Sequence, residues 1–371
     1  MKKALSYLGL ALIFSLTSLS VAADDHKNGV HDEKEFNVGE MIMHHVKDAH
    51  EWHLWGPEHG GTSIYLPVIL KTEEGIKTFS SSHLYHGTHV EGLDDRGKEI
   101  SYFIGEGPAL GYAMFHEKIY ALDGHGVLHF ENGHVHGNVK PMDFSITKNV
   151  MSLFIGSFLV FILMFSCARF YKNHGAVAPK GLAKFLEPLI IFVQDDIAKA
   201  NINEKKYKKF VPFLLTIFFF IWINNLLGLV PIFPGSANLT GNISVTLFLS
   251  AMTLIIILIN GNKNYWGHIF APPGVPKLLL PIMIPIEIVG IFTKPFALMI
   301  RLFANITAGH IIILALISII FINKNAAWGA LSVPMALFIS VLELLVAALQ
   351  AYLFALLSAL FIGAAVEDAH H

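Results

Sequence analysis

Long apolar runs alternate with short polar ones over the second half of the chain. Val150 to Ala168 is 19 residues without a charge, enough at ~1.5 Å per residue to cross a hydrocarbon layer of about 30 Å. Phe210 to Val230 and Ile243 to Asn260 repeat the pattern, and no Lys, Arg, Asp or Glu occurs from Phe210 to Asn262. Leu278 to Ile322 runs for 45 residues, which is about 67 Å if wholly helical, too long for one perpendicular crossing and awkward for two. If it crosses once, strongly tilted, Gly329 to Ala365 supplies a fifth span. Leu182 to Ala198 is apolar but interrupted by Lys184, Glu187, Pro188, Asp195 and Asp196, the pattern of a helix lying along a membrane surface.

The front of the chain follows a different rule. Lys2 and Lys3, an apolar run from Leu5 to Leu19 and small residues up to Ala23 read as a secretory signal over 1–23, the run being short for a span. Residues 24–149 hold many glycines and short strand-like runs such as Ser63 to Leu70, which predict a small irregular extracytoplasmic domain with some β-structure. Residues 150–366 form the membrane domain.

Composition agrees with two parts in different solvents. The chain is 54% hydrophobic and 15% charged, with a mean hydropathy of +0.55, too apolar for an ordinary soluble domain. Of the 28 acidic residues, 20 fall between Asp24 and Asp143, so the outer part is acidic and unsuited to nucleic acid. Nine Lys/Arg between 169 and 209 place that loop in the cytoplasm by the positive-inside rule. Lys263 and Lys277 do the same for the loop from Gly261 to Lys277, whereas Lys324 is the one basic residue in a loop between spans on the outer side. The C-terminal tail then ends in the cytoplasm. Cys167 is the single cysteine, which excludes an intramolecular disulfide and a cysteine-based metal site.

An ionised side chain at the centre of a bilayer costs from roughly 2.5 to more than 10 kcal/mol, so those that persist there are functional candidates, with helix-to-helix pairing as the bland alternative. Glu287, Lys294 and Arg301 repeat every seven residues along one helix face, with Asn305 close to the same stripe and His310 on the opposite face. In the last span Glu343, Ala347, Gln350 and Phe354 share a stripe, with Ala347 and Ala348 allowing close packing. An imidazole and a carboxyl group in apolar surroundings suit a proton relay. A guanidinium keeps its charge, so Arg301 suits holding or discharging a mobile carboxylate.

The run from Lys294 through Arg301-Leu302-Phe303-Ala304-Asn305 to Gly309-His310 resembles the signature of subunit a of F-type ATP synthases, and Leu349-Gln350-Ala351-Tyr352 resembles its partner motif. Asn225 to Pro231 and Asn242 to Leu247 are similar to two further membrane helices of that family, so the resemblance covers about residues 144–368 and omits the histidine-rich front. It implies an all-α polytopic membrane protein of the bacterial inner membrane. Five transmembrane helices and one membrane-surface helix are expected, the last two long, tilted and packed as a hairpin. It also implies two offset half-channels facing a ring of c subunits, the peripheral-stalk b subunits and the rest of the complex as partners, membrane lipid around it, no cofactor, and ATP chemistry on other subunits. The family's arginine matches Arg301, its asparagine Asn305 and its glutamine Gln350. Well-studied bacterial members carry a glutamate at the position of His310 and a histidine at that of Glu343, so acid and imidazole have exchanged helices. Gly228 stands where some members have an acid, which shifts the outer path onto Asn225, Asn242, His310 and Glu343.

Three other patterns carry less. Gly92 to Glu99 has the glycine and lysine spacing of a phosphate loop, but Glu99 replaces the hydroxyl and Asp94 and Asp95 repel phosphate. Of the 20 histidines, 15 lie in 24–149; His134-Val135-His136 is a two-ligand fragment and a weak metal candidate, and an acidic, imidazole-rich cap could buffer protons. A proton-coupled secondary transporter is the alternative function, but it would call for inverted repeats, which the two halves do not show.

Overall fold

The computed structural model describes residues 39, 42, 47–55, 61–175, 177–230, 233–235, 237–271 and 276–367; the expected signal segment 1–23 lies outside them. Among the described residues five helices are long and apolar enough to cross a membrane. They are α1 (Lys148–His174), α3 (Val211–Leu229), α4 (Ile243–Asn260), α6 (Leu280–Ile322) and α7 (Gly329–Val366). The interrupted segment between the first two is α2 (Leu182–Phe192), whose following turns widen to a π-helix over Val193–Lys199. One amphipathic helix, α5 (Lys263–Phe270), was not apparent in the sequence pattern.

All but the first two residues of the 45-residue apolar run form one continuous helix of 43 residues, despite Pro285 and Pro295 inside it. Proline removes one backbone donor and strains the preceding turn, yet packing holds it: Pro295 is buried, as are Leu298, Leu302 and Ile306. Those three leucine and isoleucine side chains join Ala351, Phe354 and Ala355 of α7 in the main core, together with Leu214, Phe218 and Ile221 of α3 and Val193 and Ile197 of the π-helix. Helices α6 and α7 therefore pack as a hairpin, and α3 closes the other side of α7. Small residues permit the approach, since Ala347, Ala351, Ala355 and Ala359 on α7 are all fully buried.

Among the described residues eleven strands form the outer part. A meander β5 (Thr88–Leu93), β6 (Glu99–Ile104), β7 (Tyr112–Phe115) and β8 (Lys118–Ala121) pairs antiparallel throughout. A three-stranded sheet joins Pro67–Thr72, Gly75–Ser80 and Met142–Asp143. Val68, Leu70 and Phe79 from that sheet meet Met114 and Ile119 of the meander in a compact core. The segment with phosphate-loop spacing is the β5–β6 turn, where the Asp94 carboxylate accepts from the backbone N–H of Lys98 (2.8 Å) and of Arg96 (2.9 Å). Those backbone donors and the Arg96 guanidinium hold the Asp94 carboxyl below its usual range. A hairpin turn, with no helix after it, cannot cradle a phosphate.

The outer part is anchored to the bundle through the residues just before β1 (Glu51–Trp55). The Asp48 carboxylate accepts from Thr147 Oγ1 (2.8 Å) and from the Asn149 N–H (3.0 Å) at the start of α1, and the Lys148 N–H donates to the Ala49 carbonyl (2.8 Å). Trp52, 1% exposed, packs edge-on against Phe233 between α3 and α4, at 5.1 Å between centroids. Next to this anchor His50, 2% exposed, has Nε2 3.1 Å from Asp143 and Nδ1 3.8 Å from Glu117, and Tyr85 donates to Glu117 at 2.7 Å. Burial works to lower the imidazole, but Asp143 and then Glu117 outweigh it and lift it from 6.5 to about 9. The stabilisation, on the order of 3 kcal/mol, is therefore complete below pH 6.5 and is lost as pH rises through about 9. Backbone protection of the Ala49–Lys148 pairing in hydrogen exchange, corrected for intrinsic rates, is expected to fall over that window, and His50→Gln to remove the dependence. A flat profile in the unmodified chain would contradict the assignment.

Candidate functional site

Packing of α6 on α7 through Leu298, Leu302 and Ile306 fixes where the polar residues of α6 point. Arg301 and Asn305 fall on an exposed face with Lys294, Ala297, Ala304 and Ala308. From Ala297 to Ala308 this face is a track of alanines interrupted by one guanidinium and one amide, with Lys294 at its near end. Among the described residues Arg301 has no hydrogen-bond or ion-pair partner, whereas Lys294 Nζ stands 5.7 Å over the Phe361 ring of α7. Glu287, on the same seven-residue repeat, is half-buried.

Glu343 of α7 is 5% exposed, and neither carboxyl oxygen has a hydrogen-bond partner among the described residues. It fits because position 309 of α6 is glycine: a methyl group built there overlaps Glu343 Oε1. Gly309 immediately precedes His310, which is half-buried, and Thr307 Oγ1 on the same stretch of helix is also buried without a partner. The structure thus brings Glu343 against the glycine beside His310, so both exchanged residues lie at one level of the hairpin. Gln350, two turns further along α7, is 3% exposed. It lies in the interior of the bundle, while Arg301 lies on its outside.

Asn225 of α3 completes this region. Its Oδ1 accepts from Thr240 Oγ1 at 2.6 Å, and its Nδ2 donates to the Ala347 carbonyl at 3.4 Å, one turn of α7 from Glu343. Asn224 beside it faces α1, where Gly156 leaves room for its amide, and its Oδ1 is unpartnered. Asn238 Oδ1 accepts from the Gly241 N–H at 3.0 Å, and its buried Nδ2 has no partner among the described residues. Asn242 is used differently: its side chain accepts from the Ser244 N–H at 2.9 Å and caps α4. It shapes the helix start at this level.

A buried polar row runs along α4 away from this level, starting one turn after Asn242. Thr246, Ser250 and Thr253 form a buried stripe on α4, and Thr253 Oγ1 is 3.4 Å from Ser358 Oγ of α7. Counting along α7, Ser358 is fifteen residues beyond Glu343, about 22 Å along the axis, with Gln350 midway. Thr240, Asn224, Asn238 and this stripe escaped notice in the sequence, although hydroxyls at i, i+4 and i+7 in an uncharged helix are a visible signal. Of the weak metal candidates, His134 is exposed on the hairpin Phe130–Glu131/His134–Val135, and His136 Nδ1 lies 3.3 Å from Glu131. Among the described residues no group of three His, Cys, Asp or Glu side chains is placed to hold a metal ion.

Comparison with known proteins covers both parts of the chain. Residues 41–144 match a family described as a domain of unknown function. Residues 150–363 match the family described as ATP synthase A chain. ATP synthase subunit a of Chloroherpeton thalassium is 44% identical over 265 residues, 68% of this chain and 77% of that protein. ATP synthase subunit a 2 of Chlorobaculum tepidum is 49% identical over 244 residues, 63% of this chain and 68% of that protein. ATP synthase subunit a of an Anaeromyxobacter species is 44% identical over 350 residues, 92% of this chain and 72% of that protein, so likeness extends into the outer part. With more than half of its length matched by one family model and relatives of this identity, the chain belongs to the ATP synthase A chain family.

Proposed function

We propose that this chain conducts protons across the bacterial inner membrane through two half-channels and couples that flow to rotation of a ring of c subunits. As a family member it is a non-catalytic, multi-pass subunit of the membrane sector, and ATP chemistry lies on other subunits. The observation that carries the reading is Arg301: a permanent charge on the exposed alanine track of α6, with no counter-ion among the described residues. A helix bearing a carboxylate can approach alanines closely and meet that charge. The polar group at Glu343, Gly309, Asn225 and Thr240 lies to the side of Arg301 on which the β-rich part is anchored, and Thr253 with Ser358 lies to the other.

Buried polar atoms left unpaired cost about 1–3 kcal/mol each unless water reaches them, so a row of them draws water into the bundle. The outer half-channel then runs past Asn238, Thr240 and Asn225 to Glu343 and His310, which pass protons to a ring carboxylate. The inner one leaves past Gln350, Thr253 and Ser358. In this orientation the β-rich part faces outside, the basic loops and C-terminus face the cytoplasm, and the b subunits complete the stator. The test is the assembled complex in liposomes with a pH difference imposed in sodium-free medium. ATP synthesis is expected there, and Glu343→Gln should lower it by at least about tenfold; a requirement for sodium, or full activity in the variant, would refute the reading.

A further inference from the structure

At the end of the bundle away from the β-rich part, the start of α3 and the ends of α4 and α7 surround a cavity of about 360 Å³. Lys205, Lys206 and Lys209 line it together with Phe210, Asn260 and Asn262. Cations at helix C-termini have a structural use, and one of the three has it: Lys206 Nζ donates to the Val366 carbonyl at 2.9 Å, as does Asn262 Nδ2. That use does not extend to the others. Lys209 Nζ donates to the neutral Asn260 Oδ1 at 2.6 Å and lies 5.6 Å over the Phe210 ring. Neither Lys205 nor Lys209 has a carboxylate within ion-pair distance among the described residues, and both are exposed.

We propose that this basin binds the phosphate of an anionic headgroup. Three membrane-spanning helices begin or end at its rim, at Val211, Asn260 and Val366, which sets it at the depth of lipid phosphates. Ammonium groups bind phosphate as point charges, and basic pockets between helices are the kind of site that takes an acidic lipid. Phe210 and Val366, both nearly buried, line the same basin and leave its exposed surface to the lysines and asparagines. A lipid seated there bridges the loop before α3 to the end of α7, the helix that carries Glu343 and Gln350.

The experiment uses the assembled complex in phosphatidylcholine nanodiscs doped with photo-crosslinkable phosphatidylglycerol or phosphatidylcholine, the labelled peptides being identified by mass. Labelling of the stretch around residues 205–210 by the phosphatidylglycerol probe is expected, and little by the zwitterionic one. At roughly fivefold per lysine, Lys205→Gln with Lys209→Gln should weaken labelling about 30-fold, and Lys205→Arg with Lys209→Arg should restore it. Wild-type levels of subunit and of ATP synthesis in these variants would show that the bundle is intact. Binding of millimolar inorganic phosphate without labelling by lipid would assign the same site to a soluble anion. Equal labelling by both probes with no phosphate binding, or full labelling of the glutamine variant, would overturn the proposal, as would labelling that requires removal of the chain after Glu367.

Discussion

Arg301→Ala is expected to assemble into the complex at normal levels and to lose both proton-driven ATP synthesis and ATP-driven proton uptake, to about 1% or less. Assembly should survive because the side chain faces away from the hairpin seam, which Leu302 and Leu298 hold from the other side of α6. Loss follows from the electrostatics. A guanidinium about 4 Å from a carboxylate contributes about 4 kcal/mol at an effective dielectric near 20, a preference of about a thousandfold for the ionised ring carboxylate at that point. Without it, ionised carboxylates stall at the interface, or protons cross between half-channels without turning the ring. Arg301→Lys keeps the charge but loses the planar fork, and should recover part of synthesis. The readouts are acidification of liposomes on ATP addition and ATP yield under an imposed gradient; normal values of both in Arg301→Ala would sink the mechanism.

Arg301 was legible because its cost is local: a charge within an uncharged run needs no neighbour to be conspicuous. The five long helices were legible for the same reason, since apolar runs of membrane length report their own solvent. The long run over α6 was not resolved by pattern, because length alone allows one tilted helix or two short ones. What decides is the buried row of Leu298, Leu302 and Ile306 against α7, a tertiary fact. The outer part shows the opposite limit. Its strands are short and its sheets join segments such as Pro67–Thr72 and Met142–Asp143, seventy residues apart in sequence, so periodicity could indicate β-structure but not register. The β5–β6 turn shows how glycine and lysine spacing without its strand–loop–helix context misleads.

Residues acting through packing were the least visible. Gly309 reads as an ordinary helix glycine until α7 is laid against it, and Asn225 gains its place from Thr240 and the Ala347 carbonyl. Asn242, assigned to the outer path from the family resemblance, also caps α4, its side-chain oxygen accepting from the Ser244 N–H. The level at which Glu343 lies against Gly309 is thus a property of three helices and a loop.

Replacing Gly309 is accordingly expected to act on Glu343. In an isolated helix Gly→Ala gains about 1 kcal/mol, and Gly309 has no positive φ that would forbid a side chain. Within the hairpin the added methyl meets Glu343 Oε1, and overpacking of this kind costs about 1–3 kcal/mol, so the packing cost offsets or exceeds the helix gain and the carboxyl group moves. Misplacement of a reacting group by about 1 Å can cost about a hundredfold, so Gly309→Ala should lower proton-driven synthesis by tens of times, and Gly309→Val by more. Because the same methyl could simply spread the helices, a second variant separates the causes. Glu343→Asp withdraws the carboxyl group by one methylene, so Gly309→Ala with Glu343→Asp should recover activity relative to Gly309→Ala alone. Full activity in Gly309→Ala would show that the position of Glu343 is not critical. Failure of the aspartate to rescue, with normal subunit levels, would place the damage in helix spacing instead of in the carboxyl group.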